Sequence, residues 1–250
     1  MSKRVVDEAW LAARAAIKVD DAAALAAMAT ATPELLGLRG RIDNSDPANE
    51  CSLLHFAAFR DSVECVKFLV EKGLDVHDPW TSSNERLKGQ TPLSMAIMCL
   101  DEEPRRAMVD ALMARGKTVG SEEAGWQVAM RVAGRRGYWP IMRDIHAHLG
   151  EAGVDLWPAL RDDGDSSLWH FAAWCGSQKM LAMLWEWRGM KVCAEHANAA
   201  GRTPVDTAKS RENDAFALEL AGRLTAEREA QALSEKINEN SAKLTHAMRL

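Results

Sequence analysis

Two cysteine and histidine pairs have the residue types that a thiol nucleophile and its base require. Cys51 lies four residues before His55. Cys175 lies five residues after His170. A cysteine enzyme also needs a third group that orients the base, and backbone donors that stabilise an oxyanion. Neither pair has such a group or a glycine-rich loop beside it. We therefore expect no catalytic activity, and a cysteine-dependent enzyme using Cys51, Cys99 or Cys175 stays as a remote alternative.

Metal sites and phosphate-binding loops are not indicated either. His146 and His148 are two residues apart on a predicted helix, so their side chains point to different faces. No cysteine or histidine pair has the spacing of a zinc site. The segment at residues 134–137, GRRG, lacks the Lys-Ser/Thr that binds phosphate and Mg²⁺. We expect no cofactor and no metal.

The composition is that of a folded chain with no general attraction to anions. Its 250 residues are 47% hydrophobic and 27% charged, with a net charge of −5, so neither disorder nor nucleic-acid binding is favoured. The longest stretch without a charged residue, 166–178, is too short to span a membrane. Acidic residues soon after Lys3 and Arg4 interrupt any signal peptide, and the five cysteines include no CxxC pair. We expect a cytoplasmic protein that binds neither membranes nor nucleic acid.

The chain contains an internal repeat. Residues 52–58 read SLLHFAA, and residues 167–173 read SLWHFAA. Two related segments are GQTPLSMA at 89–96 and GRTPVDTA at 201–208. In each segment a hydroxyl residue can cap the first turn of a helix, and in two of them proline takes the first helical position. The small residues that follow let a neighbouring helix approach closely, so the four segments predict helices that stack side by side.

These segments resemble the signature of the ankyrin repeat, in which Thr-Pro-Leu-His-x-Ala-Ala opens the first of two helices. Residues 63–76, VECVKFLVEKGLDV, are similar to the second helix, its terminating glycine and the turn beyond. The hydroxyl positions are 52, 91, an inferred 128, 167 and 203. The copy at Val128 has lost every signature residue and is placed by its position and by the later apolar pattern. The resemblance implies an all-α solenoid of stacked helix-turn-helix pairs with β-turn fingers.

The resemblance covers about residues 2–224, so we expect an ankyrin repeat domain over residues 1–224 with five to six repeats. The predicted units are an N-terminal cap at 3–43, repeats at 48–80, 87–120, 124–156 and 163–196, and a C-terminal cap at 199–224. Two alanine-rich helices, at residues 5–17 and 22–31, form the predicted N-terminal cap.

Residues 225–250 predict a separate C-terminal helix. A stripe of mostly apolar residues recurs there at heptad-like spacing: Ala226, Ala230, Leu233, Ile237, Asn240, Leu244 and Ala247. One interpretation is that this helix frays or docks on the last repeat. The other is that it pairs weakly with a second copy or with a partner helix.

In the ankyrin pattern, the residues after the paired alanines face a concave groove, and the fingers carry further contacts. At these positions we expect partner-binding side chains, namely Phe59, Arg60, Trp80, Met98, Arg135, Arg136, Trp174 and Arg211. Aromatic and arginine side chains are typical of binding hot spots. Trp80 lies in an insertion, residues 78–88, that is longer than the repeat requires. The alternative for Phe59 and Trp174 is packing on adjacent repeats. The remaining tryptophans of the repeats are predicted to pack in the core: Trp126, Trp139, Trp157, Trp169, Trp185 and Trp187.

The resemblance implies a protein–protein interaction module that does no chemistry of its own. Two versions stay open. In one, the protein is an inhibitor that covers the active site of an enzyme, such as an immunity protein that neutralises a toxin. In the other, it is an adaptor or scaffold whose terminal helix recruits a partner or self-associates. The arginines favour a protein partner with an acidic or mixed-charge surface.

Overall fold

The computed structural model describes residues 3–41, 50–84, 87–99, 102–114, 123–151 and 155–247. The chain divides into two compact units, Met1–Leu160 and Arg161–Leu250. The predicted repeat boundaries at residues 43, 48 and 120, and the last three residues of the chain, lie outside the described residues.

The first unit consists of helix pairs that stack in chain order. Its elements are α1 (Lys3–Lys18), α2 (Ala22–Ala31), a 3₁₀ helix (Pro33–Gly37), β1 (Arg39–Arg41), β2 (Glu50–Ser52), α3 (Leu53–Phe59), α4 (Val63–Glu71), α5 (Pro92–Cys99), α6 (Glu102–Met113), α7 (Glu123–Arg136), α8 (Trp139–Leu149) and α9 (Leu156–Ala159). The first helices of successive pairs lie side by side, α1 against α3, α3 against α5, and α5 against α7. The second helices form another row, α2 against α4, α4 against α6, and α6 against α8. This arrangement confirms the predicted stack of helix pairs.

The second unit contains two further helix pairs. Its elements are α10 (Leu168–Cys175), α11 (Gln178–Glu186), a 3₁₀ helix (Lys191–Cys193), α12 (Pro204–Ser210) and α13 (Asp214–Ala247). Here too the first helices, α10 and α12, pack against each other, and the second helices, α11 and α13, are in contact. Trp169 and Phe216 are among the largest fully buried side chains of this unit.

The four predicted helix starts are closed by reciprocal hydrogen bonds. The hydroxyl residue of each start faces the side chain three residues later, in the pairs Ser52 with His55, Thr91 with Ser94, Ser167 with His170, and Thr203 with Asp206. The backbone N–H of Ser167 donates to Nδ1 of His170 at 3.1 Å. Because Nδ1 accepts, Nε2 carries the proton and donates to the carbonyl oxygen of Arg202 at 2.9 Å. His55 and His170 therefore have a structural role, in which each joins its own helix start to a carbonyl of the next repeat.

The turns inside the helix pairs each bring one residue into the left-handed backbone region. In five described turns this residue is Asp20, Asp61, Gly137, Gly176 or Glu212. At Gly176 a side chain is also excluded by space, because a Cβ atom would lie 2.6 Å from Oδ1 of Asn213. The Asp20 carboxylate accepts hydrogen bonds from the backbone N–H groups of Glu64 and Cys65, at 3.1 and 2.9 Å. Asp20 therefore ties the first helix pair to the start of α4.

The third predicted repeat does not begin where its alignment placed it. Because α7 begins at Glu123, Val128 lies inside the helix, and the helix start inferred at Val128 is wrong. Residues 123–127, EAGWQ, contain no proline, serine or threonine that would favour a helix start at Val128. The added turn packs Gly125 and Trp126 on His77, with the Trp126 and His77 ring centroids 4.5 Å apart.

The C-terminal helix is longer than predicted. α13 runs without interruption for 34 residues from Asp214, so the boundary proposed between residues 224 and 225 falls inside one helix. Among the described residues, no helix combines the length and the apolar character that crossing a membrane would require.

Candidate functional site

The ends of three neighbouring first helices form an exposed surface on the first unit. We call it the helix-end surface, and it consists of two residues at the end of each helix: Phe59 and Arg60 for α3, Met98 and Cys99 for α5, and Arg135 and Arg136 for α7. The three helices place these residues in one row because α5 lies between α3 and α7. Phe59 is 38% exposed, Met98 is half-buried and the other four residues are exposed. The positive charge of Arg136 acts on the Cys99 thiol, so the ends of α5 and α7 are close neighbours.

The second unit carries an aromatic and arginine pair at the equivalent helix ends. The guanidinium of Arg211 stacks over the ring of Trp174, with its central carbon 3.6 Å from the ring centroid. Trp174 is nevertheless 54% exposed. The side-chain amide of Asn213 donates to the carbonyl oxygens of Ala173 and Trp174, at 2.8 and 3.2 Å, and so holds the turn that presents this tryptophan. We call Trp174 and Arg211 the Trp-Arg pair.

The arginines at the helix ends and the arginines of the second helices differ in whether they form ion pairs. Within the described part of the chain, the guanidinium groups of Arg60, Arg136 and Arg211 form no ion pair with a carboxylate. Four arginines of the second helices are ion-paired, Arg106 and Arg143 with Asp144, Arg223 with Glu219, and Arg228 with Glu195. Arg60, Arg136 and Arg211 therefore present positive charge that no carboxylate of the described residues neutralises.

Trp80 does not belong to an exposed surface. It is only 3% exposed and packs edge-on against the His55 ring, with the centroids 5.4 Å apart. The insertion is fastened beside the β1–β2 finger, because Thr81 pairs with Glu50 and the Arg39 guanidinium donates to Asp78 at 2.6 Å. Trp80 is therefore a core residue, and its predicted role as a partner-binding residue of the finger is wrong. Of the insertion, residues 85 and 86 lie outside the described part.

A cleft on the N-terminal cap was missed by the sequence analysis. Trp10, Leu11 and Arg14 of α1 line it together with the strand that contains Arg41. Trp10 Nε1 and Arg14 Nη1 both donate to the carbonyl oxygen of Arg41, at 3.1 and 3.0 Å, while Leu11 is exposed. Because α1 lacks the signature residues, its positions could not be aligned with those of the other first helices. The sequence could have indicated the cleft only through the order of the helices, since α1 is the first helix of the pair that precedes α3.

The five cysteines are poor candidates for a nucleophile. Cys51, Cys65 and Cys193 are buried, and Cys99 and Cys175 are exposed. Burial raises the pKa of all five thiols, that of Cys51 and that of Cys65 to about 12. The charge of Arg136 lowers the pKa of the exposed Cys99 thiol, but burial raises this pKa by more. For Cys175, the other exposed cysteine, only burial contributes, and it raises the pKa. The arrangement therefore disfavours a reactive thiolate.

We expect two thiols of the folded protein, Cys99 and Cys175, to react with a thiol reagent near pH 7, both more slowly than free cysteine. The raised pKa values leave little thiolate at that pH. The other three thiols should react only after unfolding, since they are buried. Counting modified thiols over time, with and without denaturant, measures this. One thiol that reacts much faster than free cysteine would instead support the cysteine-dependent enzyme.

The two histidines of α8 have separate structural partners. His146 accepts a hydrogen bond at Nδ1 from Trp157 Nε1 at 2.8 Å, and burial lowers its pKa. His148 packs on Trp126, with ring centroids 5.1 Å apart. In the described ranges, no group of three His, Cys, Asp or Glu residues is arranged to hold a metal ion.

Helix pairs that stack on one another in chain order, as they do within each unit, are typical of a helical repeat protein. The family model for ankyrin repeats matches residues 22–123 as three copies. Residues 22–123 therefore match the ankyrin repeat family, and the chain has the fold of ankyrin repeat structures. Ankyrin repeats are protein-binding modules, so the coarse functional expectation stands.

Solved structures of ankyrin type share this fold. Among 206 matching chains, one belongs to the solved structure of the predatory endopeptidase Bd0816 from Bdellovibrio bacteriovorus in complex with the immunity protein Bd3460. It matches with a TM-score of 0.59 and 17% identity, over 84% of this chain and 97% of that chain. EF0377, an ankyrin repeat protein, matches with a TM-score of 0.58 and 15% identity, over 84% of this chain and 96% of that chain. No curated protein matches the sequence significantly.

Proposed function

We propose that this protein is a non-catalytic inhibitor that binds an enzyme through the helix-end surface of its first unit and the Trp-Arg pair of its second. The observation that carries the proposal is the set of guanidinium groups without a carboxylate partner among the described residues, Arg60, Arg136 and Arg211. A guanidinium presents a rigid fork of donors that fits a carboxylate. A partner with acidic side chains around its active site could form ion pairs with these arginines.

The neighbouring side chains are suited to the same task. Phe59 and Trp174 are exposed aromatic residues beside arginines, and such residues supply large contact areas at low cost in side-chain entropy. The stack on Trp174 also holds Arg211 in place before binding, which reduces the entropy lost on association. The Bdellovibrio complex of an endopeptidase with an immunity protein is consistent with an inhibitory role for this fold.

An adaptor is the second candidate function. It is favoured by the exposed part of α13, in which every side chain from residue 228 to residue 241 is accessible. An adaptor would join several proteins, whereas an inhibitor would hold one enzyme in a fixed ratio. The two candidates therefore differ in the number of partners and in the effect on enzyme activity.

Purification of the protein with its partners from its native cells, followed by mass spectrometry, tests the proposal. We expect one enzyme in a one-to-one complex, and we expect the purified protein to abolish the activity of that enzyme. Several partners in an assembly would favour the adaptor. An enzyme that is bound but stays fully active would contradict the inhibitory role.

Single alanine substitutions test the binding surface. Phe59→Ala, Arg60→Ala, Arg136→Ala and Trp174→Ala should each weaken binding by about 1 to 3 kcal/mol and leave the melting temperature nearly unchanged. Titration calorimetry with the purified partner measures the first effect, and thermal unfolding measures the second. Arg143→Ala is the matched control, since Arg143 is already ion-paired with Asp144. Wild-type affinity in all four variants would refute the surface.

A further inference from the structure

Helix α13 leaves the repeats partway along its length. Its first part is buried at Phe216, Ala217 and Leu220 and contacts α11 and α12. From residue 228 to residue 241 every side chain is exposed. Two large apolar side chains lie in this segment, Leu233 at 60% exposure and Ile237 at 55%. An isolated helix of this length is marginal in water, so a partner along its apolar side would stabilise it.

The apolar side of α13 points away from the repeats of its own unit. The packed side is centred near Leu224, which lines pockets on the α11 and α12 sides, and Glu227 and Arg228 reach the same side to pair with Lys191 and Glu195. Residues advance by about 100° around a helix. The apolar stripe therefore lies roughly 180° to 240° from Leu224, on the opposite side. Of its members up to residue 241, Ala226, Ala230, Leu233 and Ile237 are apolar and Asn240 is polar. This position argues against docking on the last repeat.

We propose that the apolar stripe of α13 is the contact surface for α13 of a second copy of this chain, in antiparallel orientation. The inference is independent of the proposed inhibitory function. It depends on the two charged residues that flank the stripe on one edge, Glu229 and Lys236, which are seven residues apart and both exposed.

The flanking charges determine the orientation. In heptad terms Ala230 and Ile237 occupy a positions, Ala226 and Leu233 occupy d positions, and the flanking pair occupies g positions. In a parallel pair of helices each g residue faces the e residue five positions later. Glu229 and Lys236 would then face Ser234 and Ser241, and no ion pair would form. In an antiparallel pair, g residues face g residues, so Glu229 of each copy can meet Lys236 of the other.

The same register also gives complementary apolar layers. With Glu229 opposite Lys236 of the second copy, Ala230 faces Leu233, and Ala226 faces Ile237, each twice by symmetry. In both of these layers a small residue lies opposite a large one, which allows the helices to approach closely without a void. The remaining edge brings Glu227 opposite Ser234, so no like charges meet on either edge. A second copy is thus complementary in both shape and charge.

Light scattering coupled to size-exclusion chromatography tests self-association. The mass of the full-length protein should rise from one chain toward two over about two orders of magnitude in concentration. Replacing both large apolar residues, Leu233→Gln with Ile237→Gln, should keep the chain monomeric throughout. Leu218→Gln is the matched control, because Leu218 is an exposed leucine of α13 outside this segment. A wild-type protein that stays monomeric at every concentration would overturn the proposal.

Charge exchange tests the orientation. Glu229→Lys and Lys236→Glu should each weaken self-association by roughly tenfold, because each places like charges opposite one another twice. The double exchange should restore it, and so should mixing the two single variants, since their opposite charges then face each other. Equal self-association of all these proteins would overturn the antiparallel register. Partner binding through the helix-end surface should be unaffected by these variants, so failure of either proposal is seen separately.

Discussion

Replacing Trp169 with alanine should lower the free energy of unfolding by about 3 to 5 kcal/mol, the usual cost of removing a large aromatic side chain from a core. Trp169 is fully buried in the second unit, and its indole N–H donates to the carbonyl oxygen of Met190 at 2.9 Å. The substitution would leave a cavity and remove one of the donors to this carbonyl, which also accepts from Cys193. Urea unfolding followed by circular dichroism measures the change without depending on tryptophan fluorescence.

Trp174→Ala is the matched control for this experiment. Trp174 lies five residues further along α10, and its side chain is largely in solvent. Its replacement should change the stability by less than about 0.5 kcal/mol, as is usual for surface positions. If both variants lost several kcal/mol, the two tryptophans would share the core, and the assignment of Trp174 to a binding surface would fail.

Acid should destabilise the protein through His55. Burial lowers the pKa of this histidine from its usual 6.5 to about 4, although the charge of Asp78 opposes the effect. The unfolded chain therefore binds a proton at a higher pH than the folded chain. The stability is complete above pH 6.5 and falls as the pH drops toward 4, by about 3 kcal/mol in total from this one residue. Burial also lowers the pKa of His170, so its contribution has the same sign.

The variant His55→Gln isolates this contribution. Glutamine at this position can still accept a hydrogen bond from the backbone N–H of Ser52, but it does not titrate. Urea unfolding at pH 7 and at pH 4 should show that the wild type loses about 3 kcal/mol more than the variant. Equal losses in the two proteins would mean that His55 is not held neutral by burial.

The helix starts could be predicted from sequence because their chemistry is local. A hydroxyl residue, the side chain three residues later and the alanines that follow lie within one turn or two, as at Ser167 and His170. The alanines also set the register, which is why the exposure of Phe59, Trp174 and Arg211 agrees with the prediction. Their role in binding stays a prediction.

Trp80 and Val128 show what local pattern cannot supply. The burial of Trp80 depends on the pairing of Thr81 with Glu50 and on the ion pair between Arg39 and Asp78, which join residues about 30 to 40 positions apart. The early start of α7 follows from packing on His77, a residue of the predicted repeat at 48–80. Neither contact leaves a periodic trace in the sequence.

The bond from Asp20 to α4 has a consequence for how the first unit opens. The carboxylate of one helix pair supplies the acceptors for the first amides of the next pair. Fraying of α1 and α2 would therefore uncap α4, so the two pairs are coupled in unfolding. Opening of the N-terminal helix pair therefore also costs the hydrogen bonds that cap α4.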